Sequence, residues 1–475
     1  MSYTVHKMIH GKKYAYEVTS FWDPETKKVK KKNKYIGIVK EDGEVVNKHT
    51  VIKKQEKAVL DFGDGYLLHH FIKKSDVFPL LHDIIKNHPE CISLIIYRLC
   101  YQSAMYNASN WHEGNVVSVL SKDLDLSSQN ISRILAYLGQ ENTQRHFFQA
   151  YLNSDINCHG NVIIDATSLP NQIQHDFSQW GYADSAIEKQ FRLLCVVNQH
   201  TKMPLFYRFL PGNIVDISSL QRTIQELDLM GAKNNFVLLD AGYCSKDNIV
   251  DLYQKKIDFL VRLPSQRTLY KETIRHHAES LENLAYATQY GTRSLFVKTI
   301  ETKDLYGHEG YLYIVLDPSR KGKEVNQLVG AYLEETNNAP ERQEAFDFEF
   351  KKSGIMILIS SKKIEKSEVV STYYMRQSVE QIFGFFKDDL DSLPIRRHND
   401  ATIQGYLFLQ FIVLIFFIQL RNALQKKYTV EQALLITRNL KCKIFDSALL
   451  VSEANRKQTE IYSLAGVMVP KNLGI

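Results

Sequence analysis

Residues 373–388 read Tyr373-Tyr374-Met375-Arg376-Gln377-Ser378-Val379-Glu380-Gln381-Ile382-Phe383-Gly384-Phe385-Phe386-Lys387-Asp388. Their periodicity predicts a helix from about Glu368 to Asp388. At about 100° per residue with Tyr373 at 0°, Arg376 falls near −60°, Glu380 near −20° and Lys387 near −40°. Four polar side chains therefore share one narrow stripe. Gly384 lies beside it, where a backbone or ligand can come close. Met375, Val379, Ile382 and Phe386 form an opposite apolar stripe suited to a core. Helical spacing alone also fits a surface helix with an i to i+4 pair, Arg376 and Glu380. That reading does not require Tyr373 and Lys387 on the same face. A surface for phosphate and metal does: the cations neutralise phosphates while the carboxylate holds a divalent ion.

Two further carboxylates lie upstream. Asp165 closes the apolar strand Val162-Ile163-Ile164, and Asp240 closes Val237-Leu238-Leu239. Three carboxylates from two strands and a helix can hold two divalent cations about 3.5–4 Å apart. Mg²⁺ suits such hard oxygen donors. One ion activates a water or a 3′-hydroxyl, and the other stabilises the leaving 3′-oxygen.

The pattern Tyr373-x-x-Arg376-x-x-x-Glu380, followed by Lys387, resembles the Tyr-Arg-Glu-Lys signature of bacterial insertion-sequence transposases of the DDE class. Ile163-Ile164-Asp165-Ala166-Thr167-Ser168 is similar to that family's first-aspartate strand. Leu239-Asp240-Ala241-Gly242-Tyr243 is similar to its second, although Ala241 stands where relatives often carry Arg. Gly181-Tyr182 and Leu210-Pro211-Gly212-Asn213-x-x-Asp216 resemble the intervening hairpin and helix start. The spacings are 75 residues from Asp165 to Asp240 and 140 from Asp240 to Glu380, the second long enough for a β-rich insertion. The resemblance covers residues 160–425 best. It implies an α/β fold: an RNase H-like mixed sheet with helices on both faces, interrupted by a β-containing insertion. It implies Asp165, Asp240 and Glu380 as catalytic metal ligands for two Mg²⁺ or Mn²⁺ ions. Tyr373, Arg376 and Lys387 would hold DNA phosphates. The implied activity is cleavage at transposon ends, then joining of the 3′-hydroxyl to target DNA, with a hairpin intermediate typical of relatives. The implied partners are double-stranded DNA, as terminal inverted repeats and target, and a second copy of the chain. A DNA-binding protein that has lost catalysis and an RNase H-like nuclease that only hydrolyses remain as alternatives.

The rest of the chain fits around this centre. Its 475 residues are 44% hydrophobic and 24% charged, which excludes disordered and low-complexity classes. The net charge is +6, yet residues 1–60 alone hold 14 lysines against 7 acids. Such an excess suits a polyanion. Residues 1–60 are read as a basic β-rich segment, with strands at Lys13–Ser20, Lys34–Val39 and Glu44–Lys48. The run Lys27–Lys32 is read as a loop, either solvated or touching DNA. Residues 61–155 are read as helical and DNA-end-binding, with helices including Cys91–Tyr106 and Gln129–Leu152. Residues 156–264 and 355–425 form the two parts of the catalytic core around an insertion at 265–354, and 426–475 a helical tail. Asp216 is read as a helix cap, and Tyr243, Cys244, Trp111 and Trp180 as packing residues. His276 and His277 are read as solvated, and His398 as structural or phosphate-contacting.

Six cysteines without a C-x-x-C pair argue against both a disulfide scaffold and a zinc module. The N-terminus lacks an apolar signal core. Tyr406–Leu420 is the most apolar run, about 15 residues, and is read as a buried helix too short to span a bilayer. A bacterial cytoplasmic, nucleoid-associated protein without a membrane partner is the expectation.

Overall fold

The computed structural model describes residues 2–9, 12–40, 43, 45–46, 57–101, 103–154, 160–171, 173–183, 186–214, 216–232, 235–334, 341–389, 399–445 and 448–473. The reading of His398 lies outside them.

The chain divides into two units. The first comprises Met1–Leu60, Lys441–Glu453 and Pro470–Ile475. Its strands are β1 (Ser2–Ile9), β2 (Lys12–Asp23), β3 (Lys28–Val39), β4 (Val45–Val46), β5 (Ala58–Asp61), β16 (Lys441–Phe445), β17 (Ala448–Val451) and β18 (Asn472–Leu473). They form two four-stranded sheets, β1-β2-β3-β4 and β18-β17-β16-β5. Of the lysine run expected as a loop, Lys27 lies in the turn and Lys28–Lys32 are part of β3, paired antiparallel with β2 from Lys28 opposite Asp23 to Ile38 opposite Tyr14. Lysine is poor strand material on its own, so cross-strand pairing decides this element. β1 was not foreseen. Residues 426–475, read as a helical tail, hold helices Val430–Arg438 and Arg456–Leu464 together with β16–β18.

The second unit comprises Asp61–Leu440 and Ala454–Val469. It is built on a ten-stranded sheet. The strands are β6 (Asn161–Pro170), β7 (Gln179–Ala183), β8 (Ala186–Asn198), β9 (Pro204–Pro211), β10 (Phe236–Leu239), β11 (Asp258–Arg262), β12 (Ala287–Tyr290), β13 (Arg293–Leu305), β14 (His308–Leu316) and β15 (Ile355–Ser360). Their order is β12-β13-β14-β15-β11-β10-β6-β8-β7, with β9 also on β8. β6, β10 and β11 run parallel to one another, and β8 is antiparallel to β6. The parallel strands are continuous apolar runs because both faces are covered. Val237, Leu238, Leu239, Leu260 and Val261 are all fully buried. The strands of residues 265–354 do not stand apart from this sheet. β14 pairs with β15 along its length and carries β13 and β12 outward.

The hairpin motif upstream of Asp216 has a steric reason. A Cβ on Gly181 would meet the Gly212 oxygen at 2.2 Å, and one on Gly212 would meet the Gln190 oxygen at 2.1 Å. The two glycines let β7 and the end of β9 lie backbone to backbone. Asp216 is the first residue of helix Asp216–Leu229.

The expected helix Gln129–Leu152 is two helices, Ser128–Leu138 and Glu141–Leu152, with Ser127 capping the first through Asn130 N. The break at Gly139 marks a helix crossing. The apolar run extends into a 24-residue helix, Asp400–Ala423, longer than the 15 residues expected and long and apolar enough to cross a membrane. In its most apolar window 83% of the residues are buried inside the protein. A Cβ on Gly405 of this helix would meet the Leu135 oxygen at 1.7 Å, and one on Gly139 the Ala401 oxygen at 1.9 Å. Gly405→Ala must push the helices apart, so it is expected to lower stability by about 2–3 kcal/mol, at the upper end of overpacking costs. Gly330→Ala is the control. Gly330 also lies in a helix, Pro318–Glu334, with open space around its Cβ position. Helix propensity there favours alanine by about 0.5–1 kcal/mol. Denaturant titration of both variants reads the difference, and equal midpoints would refute the crossing.

Candidate active site

Strand register sets the two aspartates side by side. In the parallel pair Leu239 lies opposite Ile164, so Asp240 follows at the level of Asp165. Leu239 also lies opposite Val261, which brings Arg262 to the same level on β11. Asp165 does not end its strand, as the sequence implied. β6 runs on to Pro170 because β8 continues beside it, with Cys195 opposite Asp165. Asp240 does end β10 and opens a 3₁₀ turn, Ala241–Tyr243.

The third carboxylate arrives on a segmented helix. Where one helix was expected, the chain forms Val369–Tyr374, Gln377–Gly384 and a π-helical turn, Phe385–Asp389. The first junction is tightened by three-residue hydrogen bonds, from Arg376 N to Tyr373 O (3.2 Å) and from Val379 N to Arg376 O (2.9 Å). The π turn then loosens the spiral again. Val379, Ile382 and Phe386 are buried as the apolar stripe required, whereas Met375 at the tightened junction is exposed. Its sulfur instead accepts a hydrogen bond from Gln199 Nε2 at 3.3 Å.

All three carboxylates converge on one guanidinium. Arg376 Nη1 lies 2.8 Å from Asp165 Oδ2 and 3.6 Å from Asp240 Oδ2, and its Nη2 lies 3.0 Å from Glu380 Oε1. The Tyr373 hydroxyl donates to Asp240 Oδ1 at 3.1 Å, and Ala166 N donates to Asp165 Oδ1 at 2.9 Å. The side chains of Asp165 and Glu380 are 10% and 54% exposed, so the cluster runs from the sheet interior to the surface. Burial opposes the Arg376 charge, but Asp240 and Asp165 outweigh it and push its pKa up. Burial, and then the charge of Asp240, raises the Tyr373 pKa, so the phenol remains a neutral donor. Tyr373, Arg376, Asp165, Asp240 and Glu380 thus form one bonded network. Lys387 lies on the π turn that follows, half-buried.

Other readings resolve variously. Tyr243 and Cys244 are fully buried, and burial pushes the Cys244 thiol up to about 12. Asn248 Nδ2 donates to Tyr243 O at 2.9 Å, which pins the turn after Asp240. Trp111 packs against Tyr97, with ring centres 5.5 Å apart. Trp180 is exposed on β7, against its reading as a packing residue. His276 is exposed and His277 half-buried at the end of helix Thr268–His277. Arg262 was missed. Its positive charge reaches Tyr373 and lowers that phenol's pKa against the larger raising effects. The available signal was its place at the end of a strand parallel to the Asp240 strand.

The donor set suits a hard divalent cation: three carboxylates share one guanidinium. Among the described residues no three acids are grouped closely enough to share an ion. The guanidinium of Arg376 stands between them instead, with the charge sign an ion would have.

Residues 157–416 match the family model described as Transposase DDE domain, more than half of the chain. The class is therefore that of DDE enzymes, which use divalent metal ions. Within it the chain belongs to the transposase family and is a DNA transposase. A cryo-EM structure of the piggyBac transposase synaptic complex with hairpin DNA is similar at 9% identity and a TM-score of 0.38, over 85% of this chain and 76% of that one. No curated protein matches.

Proposed function

We propose that this transposase cuts the ends of a bacterial insertion sequence and joins them to target DNA at Asp165, Asp240 and Glu380. The observation that carries the reading is the convergence of these carboxylates on a single cationic group. The Tyr-Arg-Glu-Lys pattern supports the insertion-sequence assignment. An RNase H-like core is supported by the order β9-β8-β6-β10-β11, with β9, β8 and β6 antiparallel and β6, β10 and β11 parallel.

The three carboxylates would hold two Mg²⁺ or Mn²⁺ ions. When bound, the ions supply an activated oxygen nucleophile and charge stabilisation for the leaving 3′-oxygen. Tyr373, Arg376 and Lys387 hold phosphates of the element end. For Arg376 this means leaving the carboxylates for a phosphate, a bidentate partner its planar fork fits equally well. In the first reaction water attacks the phosphorus at the element end. The P–O3′ bond breaks, leaving a 3′-hydroxyl on the element and a 5′-phosphate on the flank. That hydroxyl then attacks a target phosphodiester, forming a new P–O bond as the target's own 3′-oxygen leaves. A homodimer bringing two ends together in the bacterial nucleoid completes the reading.

The test is incubation with DNA carrying the element's ends, with and without Mg²⁺. Cut ends and joined products that require the metal support the proposal. Cutting without joining would leave a hydrolytic nuclease, and binding without cutting a DNA-binding protein that has lost catalysis.

A further inference from the structure

Among the described residues, the outer half of the β2–β3 hairpin has no third strand beside it. β1 pairs with β2 only as far as Thr19, opposite Ser2. Beyond it, among the described residues, Ser20–Asp23 pairs only with Lys28–Lys31. Every residue from Lys28 to Lys34 is exposed, so both faces of this ribbon meet solvent. An isolated two-stranded hairpin is marginal in water. This one also exposes large apolar side chains: Phe21 at 47%, Trp22 at 60% and Val29 at 61%. Exposed apolar groups of this size on an otherwise lysine-rich ribbon suit a surface that a partner covers.

Charge identifies the partner. Six lysines and two acids stand between Thr19 and Lys34. One of those acids, Asp23, is taken up inside the hairpin. It pairs with Lys30 and accepts from Glu25 N (3.1 Å) and the Thr26 hydroxyl (2.6 Å). The tip is therefore a built turn, closed by Lys27 with φ of +48°. Strand alternation puts Lys28, Lys30, Lys32 and Lys34 on one face, about 6.6–6.8 Å apart along the strand. Phe21 shares that face, opposite Lys30, while Trp22 lies opposite Val29 on the other. A second copy of the chain would meet this ribbon with lysines against lysines. A two-stranded ribbon fits the major groove of duplex DNA, about 12 Å wide.

We infer that the free half of the β2–β3 hairpin is a DNA-binding ribbon that lies with its lysine face in a groove of double-stranded DNA, lysines to phosphate and Phe21 to the base edges. The inference rests on the transposase reading only for the DNA the protein meets. The ribbon holds DNA in a way that needs neither metal nor the carboxylates.

The test uses the full-length protein without metal and a fluorescein-labelled duplex of about 30 base pairs carrying an element end. An unrelated duplex and the single strand serve as further probes. The variant Lys28→Gln/Lys32→Gln/Lys34→Gln changes exposed side chains only. Losing three phosphate contacts should lower the slope of log K against log salt by about 2.7, and affinity near 150 mM salt at least tenfold. The corresponding triple Lys→Arg variant should bind as the wild type does. Phe21→Ala should weaken binding and leave the salt slope intact. Unchanged affinity and slope in the triple Gln variant would overturn the ribbon, as would a loss confined to the single strand. Metal-dependent cutting by the wild type is scored alongside. Cutting with no ribbon effect leaves the transposase reading standing and the ribbon refuted. A ribbon effect with no cutting does the reverse.

Discussion

Glu380→Gln is expected to abolish cutting of element ends while leaving the melting temperature where it was. The Glu380 side chain is 54% exposed and pairs with Arg376 at 3.0 Å on its own helix. Pairs of that kind contribute about 0–1 kcal/mol, and glutamine keeps the length and shape. The reaction is far more sensitive. One of three anionic oxygen donors would be replaced by a neutral amide, weakening a metal centre that supplies several kcal/mol to the transition state. A loss of about 4 kcal/mol is about a thousandfold in rate. Single-turnover cleavage of an end-bearing duplex, beside thermal denaturation, reads both quantities. Cleavage within tenfold of the wild type would remove Glu380 from the ligand set. Asp165→Asn is the less clean partner experiment. Its amide would turn an N–H toward Arg376 in a buried position now 2.8 Å from the guanidinium, so activity and stability would fall together.

How far the sequence foretold this centre depends on how local each signal was. Val162-Ile163-Ile164-Asp165 and Val237-Leu238-Leu239-Asp240 announce buried strands followed by acids, and both strands are present. That the acids share a level depends on inter-strand register, which no local pattern carries. The stripe of Tyr373, Arg376 and Glu380 was legible from helical spacing. Its bonding was not, because Arg376 and Asp165 are 211 residues apart in the chain. The stripe placed Arg376 beside Glu380 but could not say that two more carboxylates would face it. The ideal spiral also hid the tightened junction at Met375 and the π turn at Phe385–Asp389. The strands of residues 265–354 were visible one by one. Their membership in the core sheet rests on β14 pairing with β15, again a contact between distant segments.

Arg376→Ala should separate what this side chain does before DNA arrives from what it does afterwards. In the structure its guanidinium, 18% exposed, is bonded to Asp165 and Glu380 and lies 3.6 Å from Asp240. Removing it leaves three anions facing one another, one of them in the sheet interior. Stripping a buried carboxylate of its partner costs about 3–5 kcal/mol. Here the outer two acids are partly solvated, so a loss of about 2–3 kcal/mol is the reasonable magnitude. The same removal should improve metal binding. In the wild type a divalent ion must compete with a positive group already bonded to its ligands, whereas in Arg376→Ala the carboxylates are free to receive it. Calorimetric titration of the DNA-free protein with Mn²⁺ is expected to show at least tenfold tighter binding in the variant. Metal at a hundred times its dissociation constant should then restore about 2.7 kcal/mol of stability. Cleavage should nevertheless fall, because the phosphate of the element end has lost its bidentate partner. Arg376→Lys should restore stability only in part, since a point charge cannot reach three carboxylates as a planar fork does. Tighter metal binding with poorer cleavage is an outcome that a purely structural arginine would not produce. Equal Mn²⁺ affinity in the two proteins would show that the guanidinium does not stand in the place of the metal.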